Sequence, residues 1–103
     1  MKNAFIDGII YKQSQYLGNW ELRYVAITPA GLASYKDEKS SETFAIKRGT
    51  VTEIWTRFDI HEKMLVIKVH HSKKTEFAIP LTNYCVESSI NWLYPFYRLM
   101  YEN

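Results

Sequence analysis

The chain has 103 residues, enough for one hydrophobic core and too few for two. Apolar residues make up 47% and charged residues 23%, ordinary values for a soluble globular protein, and the formal net charge of +2 is too small for nucleic acid binding by bulk electrostatics. The single cysteine, Cys85, rules out an internal disulfide, and no segment approaches the ~18 apolar residues that a transmembrane helix needs.

The opening Met-Lys-Asn-Ala-Phe has neither an apolar signal stretch nor the Gly required for myristoylation. The expectation is a single cytoplasmic domain over 1–103, with any membrane contact peripheral. Phe5 to Lys12 reads as a strand, with Gly8, Ile10 and Lys12 on one face and Ile9 and Tyr11 on the other. Gln13 to Asn19 is a polar loop with Tyr16-Leu17 at its tip. Trp20 to Thr28 is a second strand, rich in β-branched and aromatic residues. Pro29-Ala30-Gly31 is a strong turn, so Leu32 to Lys36 completes an antiparallel hairpin.

Asp37 to Glu42 is a charged loop. Phe44 to Arg48 and Val51 to Trp55 read as short strands around Gly49, and Phe58 to Lys63 as a connection. In Met64 to His70, Leu65, Ile67 and Val69 alternate with their neighbours, the clearest strand pattern in the chain. His71 to Lys74 is a basic turn before a seventh strand, Thr75 to Pro80. Beyond Leu81 the period changes. Thr82 or Asn83 can cap a helix. Val86, Ile90, Leu93, Tyr97 and Met100 follow at helical spacing, with Trp92, Phe96 and Leu99 beside them. Pro95 should kink or divide that helix. Seven short strands and one amphipathic helix predict an all-β bent sandwich or barrel with the helix plugging one end.

No pattern supports catalysis. Ser88-Ser89 has no Gly-flanked elbow, the four Gly residues form no phosphate-binding loop, and Cys85 falls in the helical repeat. His70 and His71 are adjacent on a strand and point to opposite faces, so with His61 and Cys85 they make a poor metal set. The expectation is no enzyme, no metal and no cofactor.

The order of these segments resembles the pleckstrin homology (PH) domain along almost the whole chain. Gly8-Ile9-Ile10-Tyr11-Lys12 is similar to that family's opening Gly-x-Leu-x-Lys. Trp20-Glu21-Leu22-Arg23-Tyr24-Val25 is similar to its second strand, Leu32-Ala33-Ser34-Tyr35-Lys36 to its third, and Trp92 to the Trp of its helix. The resemblance implies a seven-stranded bent antiparallel sandwich capped by the helix. It also implies a non-catalytic membrane-targeting module, monomeric, whose uncapped end takes anionic phosphoinositide-type headgroups.

Carried over residue by residue, the resemblance assigns headgroup contact to Lys12, Arg23 and Ser34. The headgroup site extends to Lys36 and Arg48, which with Lys47 add charge to the rim, and Tyr16, Leu17, Lys73 and Lys74 contact the membrane. Glu21 stands where a second basic residue is usual. Opposed charges there are worth roughly 1–4 kcal/mol at ~4 Å, so weak lipid affinity is expected. The plain alternative is that Lys12 and Arg23 merely pair with Glu21 and Asp37. A second function class is a protein-interaction module without lipid binding, with Tyr11, Trp55 and Tyr101 as anchors. Single-stranded nucleic acid binding ranks last for want of a basic groove.

Overall fold

In a computed structural model the described residues are 4–14, 17–81 and 89–101. Strands β1 (Ile6–Gln13), β2 (Trp20–Thr28), β3 (Gly31–Tyr35), β4 (Glu42–Lys47), β5 (Glu53–Asp59), β6 (Met64–His70) and β7 (Lys74–Pro80) precede a short helix, α1 (Leu93–Arg98). The strands form one antiparallel sheet in the order β4-β3-β2-β1-β7-β6-β5. β1 is the corner of that sheet. It pairs with β2 along its whole length, from Ile6 opposite Ile27 to Gln13 opposite Trp20, but with β7 only at Tyr11–Ala78 and Lys12–Phe77. The two halves of the sheet therefore face each other across a core.

The strand period of two fills that core. Ile10, Val25, Ile27, Leu32, Ile46, Leu65, Ile67, Val69, Phe77 and Ile79 converge in one buried cluster. β6 is apolar on both faces, because Met64 and Val66 are covered on the outside by Ala78, Tyr11 and Trp20. Tyr11 thus belongs to a packed cluster, contrary to its expected role as a free anchor. Two strand boundaries also differ from expectation. β4 begins at Glu42, and β5 runs from Glu53 through Phe58 to Asp59, where a connection was expected. β5 is an edge strand with Trp55, Thr56, Arg57 and Phe58 all exposed, so its sequence shows no alternation. The Asp59 carboxylate accepts the Glu62 N–H at 3.0 Å and fixes the turn that follows.

The helix packs with part of the wide apolar face that its sequence suggests, with Leu93 and Met100 partly buried against the core beside the fully packed residues. Thr82 to Ser88, including the expected caps and Val86, lie outside the described residues. Ser89 and Ile90 are helical, Asn91 and Trp92 form a turn, and α1 starts anew at Leu93. Pro95 sits in the first turn of α1, where a backbone N–H has no helical partner to lose, so it divides the helix without straining it. Trp92, Phe96 and Leu99 are buried, whereas Ile90 and Tyr97 are 46% and 39% exposed. Both stripes are apolar at helical spacing; the one with two buried rings, Trp92 and Phe96, fills the gap between the half-sheets. Phe96 lies 5.3 Å from Phe77 and 6.2 Å from Trp92, centroid to centroid. Trp92 rests against Gly8, where a Cβ would approach its ring to 3.3 Å. The Gly49 N–H donates to the Leu99 carbonyl at 2.8 Å. The Arg98 guanidinium lies 4.1 Å from the Phe5 ring, holding the start of β1 against α1.

On the outer face the Tyr24 hydroxyl donates to Asp7 at 2.5 Å, and its ring stacks obliquely on Tyr35 at 5.7 Å. The hydrogen bond to Asp7, then burial, push the Tyr24 phenol up to about 12. A folded-state value raised above the unfolded one means stability that is complete below pH ~10 and lost as pH rises through ~12. The bond is a single partly buried one, so Tyr24→Phe should cost about 1 kcal/mol at neutral pH. Urea melts of the two proteins should converge as pH rises through that window; a constant difference would refute the assignment. Gly31, at φ 140°, faces the Ile46 carbonyl, which a Cβ would strike, whereas Gly18, at φ 69°, has open space. Gly31→Ala should therefore cost about 3 kcal/mol or more and Gly18→Ala about 1 kcal/mol. Equal shifts in their urea midpoints would contradict this.

Candidate functional site

The inward rows that build the core turn polar at the end of the sheet away from α1. Ile10 is followed on its face by Lys12, Val25 is preceded by Arg23 and Glu21, and Leu32 is followed by Ser34. Lys12, Glu21, Arg23 and Ser34, with Ser14, Thr43 and Phe44, line an open cavity of about 260 Å³. The register of β3 and β4 slips between Ser34 and Tyr35, which pair with Phe44 and Glu42 and leave Thr43 unpaired. This bulge lets Thr43 and Phe44 share the wall, and the Thr43 hydroxyl donates to the Ser34 carbonyl at 3.2 Å.

The charges in this mouth are already engaged. Arg23 Nη2 meets Glu21 Oε2 at 2.7 Å, and Nη1 donates to the Leu22 carbonyl at 2.7 Å. Lys12 faces Glu21 across the β1–β2 pair, and its ammonium sits 4.4 Å from the centre of the Phe44 ring. Burial, and then the neighbouring Arg23 charge, lower the Lys12 pKa, while Glu21 opposes both. Ser34 is fully buried, and its hydroxyl has no hydrogen-bond partner among the described residues. Beyond Phe44 lies the ring of His71, 6.1 Å away, whose Nε2 is 2.9 Å from the Thr75 hydroxyl. Burial, and then Lys73, hold its pKa below the usual imidazole range.

No protein family's sequence profile matches the chain, and no curated protein matches it. Solved structures do. The human PH domain of pleckstrin homology domain-containing protein family A member 5 superposes with a TM-score of 0.71 at 19% identity, over 100% of this chain and 83% of its own. The Slm1 PH domain in complex with D-myo-inositol 4-phosphate gives 0.67 at 16% identity, over 97% and 95%. A structure from a systematic screen for protein–lipid interactions in Saccharomyces cerevisiae gives 0.69 at 19% identity, over 97% and 98%. This chain has the pleckstrin homology fold.

The PH architecture brings Lys12, Arg23 and Ser34 into one cavity with Glu21. Lys36 follows β3 at the same end, Lys73 lies in the β6–β7 turn after His71, and Lys74 opens β7, all exposed. Leu17 is 76% exposed in the β1–β2 loop; Tyr16 lies outside the described residues. Arg48 and Lys47 do not join them. Arg48 Nε donates to the Tyr101 carbonyl at 2.7 Å and Lys47 pairs with Gly31, which puts both at the helix-capped end. The reason is the direction of β4, which starts at the mouth with Glu42 and runs away from it. The expected pairing of Arg23 with Glu21 is present, along one strand, but Lys12 turns to Phe44.

Phe44 was within reach of sequence reasoning, since it sits two residues before buried Ile46. Thr43 was not, because it depends on the bulge. Trp55, expected as an anchor, is 61% exposed but stacks on His70 at 5.8 Å and donates to Glu53 at 2.8 Å. Ser34→Ala removes an unpaired buried hydroxyl and should leave the fold as stable, or more stable by up to about 1 kcal/mol. A lowered urea midpoint would show that the hydroxyl is bonded after all.

Proposed function

We propose that this domain is a non-catalytic membrane-targeting module whose open mouth binds the phosphorylated headgroups of anionic lipids, weakly and reversibly. The observation that carries the reading is the Ser34 hydroxyl, buried without a partner in a cavity whose other polar groups include Lys12 and Arg23. A phosphate oxygen supplies the missing acceptor, and the two cations supply charge-assisted bonds. The exposed Lys36, Lys73 and Lys74 add a positive rim, and Leu17 offers an apolar contact with the headgroup layer. The PH fold supports the same reading, since one structural neighbour is held with an inositol phosphate and another comes from a lipid-interaction screen. The internal Glu21–Arg23 pair accounts for modest affinity.

Sedimentation with phosphatidylcholine vesicles containing phosphatidylserine or phosphoinositides, at low and at physiological salt, tests the proposal. Wild type should pellet with the anionic vesicles, and Lys12→Glu/Arg23→Glu should bind on the order of tenfold less. Wild type remaining in the supernatant with every anionic lipid would rule the function out and favour a protein partner.

A further inference from the structure

We propose that Glu21 makes the mouth a single-phosphate site, which takes an inositol ring bearing one phosphate and discriminates against a ring bearing two vicinal phosphates. The inference rests on the headgroup reading above and adds the class of ligand. Its basis is the supply of charge and donors. The cavity holds two cations, Lys12 and Arg23, and one carboxylate, Glu21. Both terminal nitrogens of Arg23 already donate once inside the protein, to Glu21 and to the Leu22 carbonyl. What is left is the Lys12 ammonium, the Ser34 and Ser14 hydroxyls, the Arg23 Nε–H and one free N–H on each terminal nitrogen of Arg23, and the only cations in that set are Lys12 and Arg23. Two cations against one carboxylate leave that set a net charge of about +1, which a single phosphate monoester, at about −1.5 to −2 at neutral pH, already balances in full.

A second, vicinal phosphate finds no comparable set. Within the cavity it meets the Glu21 carboxylate, directly opposite Lys12 in the β1–β2 register. An unphosphorylated ring hydroxyl meets a suitable partner in the same place, since a carboxylate accepts hydrogen bonds and donates none. The exposed rim lysines attract either ligand, but their contribution is screened at physiological salt.

The test compares D-myo-inositol 4-phosphate with D-myo-inositol 4,5-bisphosphate by NMR titration at physiological salt, for wild type and Glu21→Gln. Phosphatidylcholine vesicles carrying the corresponding lipids form a second arm, which separates a soluble ligand from a membrane headgroup. Wild type should bind the monophosphate at least as tightly as the bisphosphate, with shifts at Lys12, Arg23 and Ser34. Glu21→Gln should raise the ratio of bisphosphate to monophosphate affinity by about tenfold, because relief of repulsion grows with ligand charge. A wild-type preference for the bisphosphate, or a ratio unmoved by Glu21→Gln, overturns the proposal while leaving headgroup binding intact. Binding of neither ligand, free or in vesicles, overturns both.

Discussion

Phe96 lies between the two halves of the bent sheet with no exposed surface, its ring against Phe77 on one side and Trp92 on the other. A sheet that folds back at β1 has two openings, and water entering either would reach the rows of Ile, Leu and Val that hold the halves together. Rings that each remove roughly 150–250 Å² from water close one opening with few residues. This explains how a helix of six residues suffices. It needs no helical stability of its own, because the sheet supplies the packing. The absence of a side chain at Gly8 is part of the same closure, since it lets Trp92 come down onto β1.

The other opening stays open and is lined differently. Its wall residues continue the core rows but change from aliphatic to polar within two positions: Ile10 to Lys12, Val25 to Arg23, Leu32 to Ser34. The cationic groups are therefore half embedded, with the apolar stems of Lys12 and Arg23 over the core and their heads toward solvent. In such a place charges interact more strongly than at a free surface, which is why a single carboxylate two residues from Arg23 governs so much of the local balance. Phe44 reinforces the arrangement by offering its ring face to the Lys12 ammonium.

The architecture was legible in the sequence to a large extent. The bounds of β6 follow from its alternation and those of β2 from its β-branched and aromatic content, whereas the mouth positions of Lys12, Glu21, Arg23 and Ser34 come from the resemblance to the PH family. What stayed hidden has physical causes. β5 is solvated along most of its length, so Trp55 to Phe58 carry no burial pattern. The helix offers two apolar stripes, and only the shape of the gap chooses Trp92, Phe96 and Leu99 over Ile90 and Tyr97. Arg48 looks from the sequence like one more rim cation, but the run of β4 away from Glu42 carries it to the far end, where backbone carbonyls receive it.

The contact of Arg98 with Phe5 draws the beginning of β1 and the end of α1 to one place, on the side remote from the cavity. The two segments held this way act as a common stem. Grafted into a loop of another protein, or permuted by a short linker between those ends, the unit would present its cavity outward without rearranging any strand.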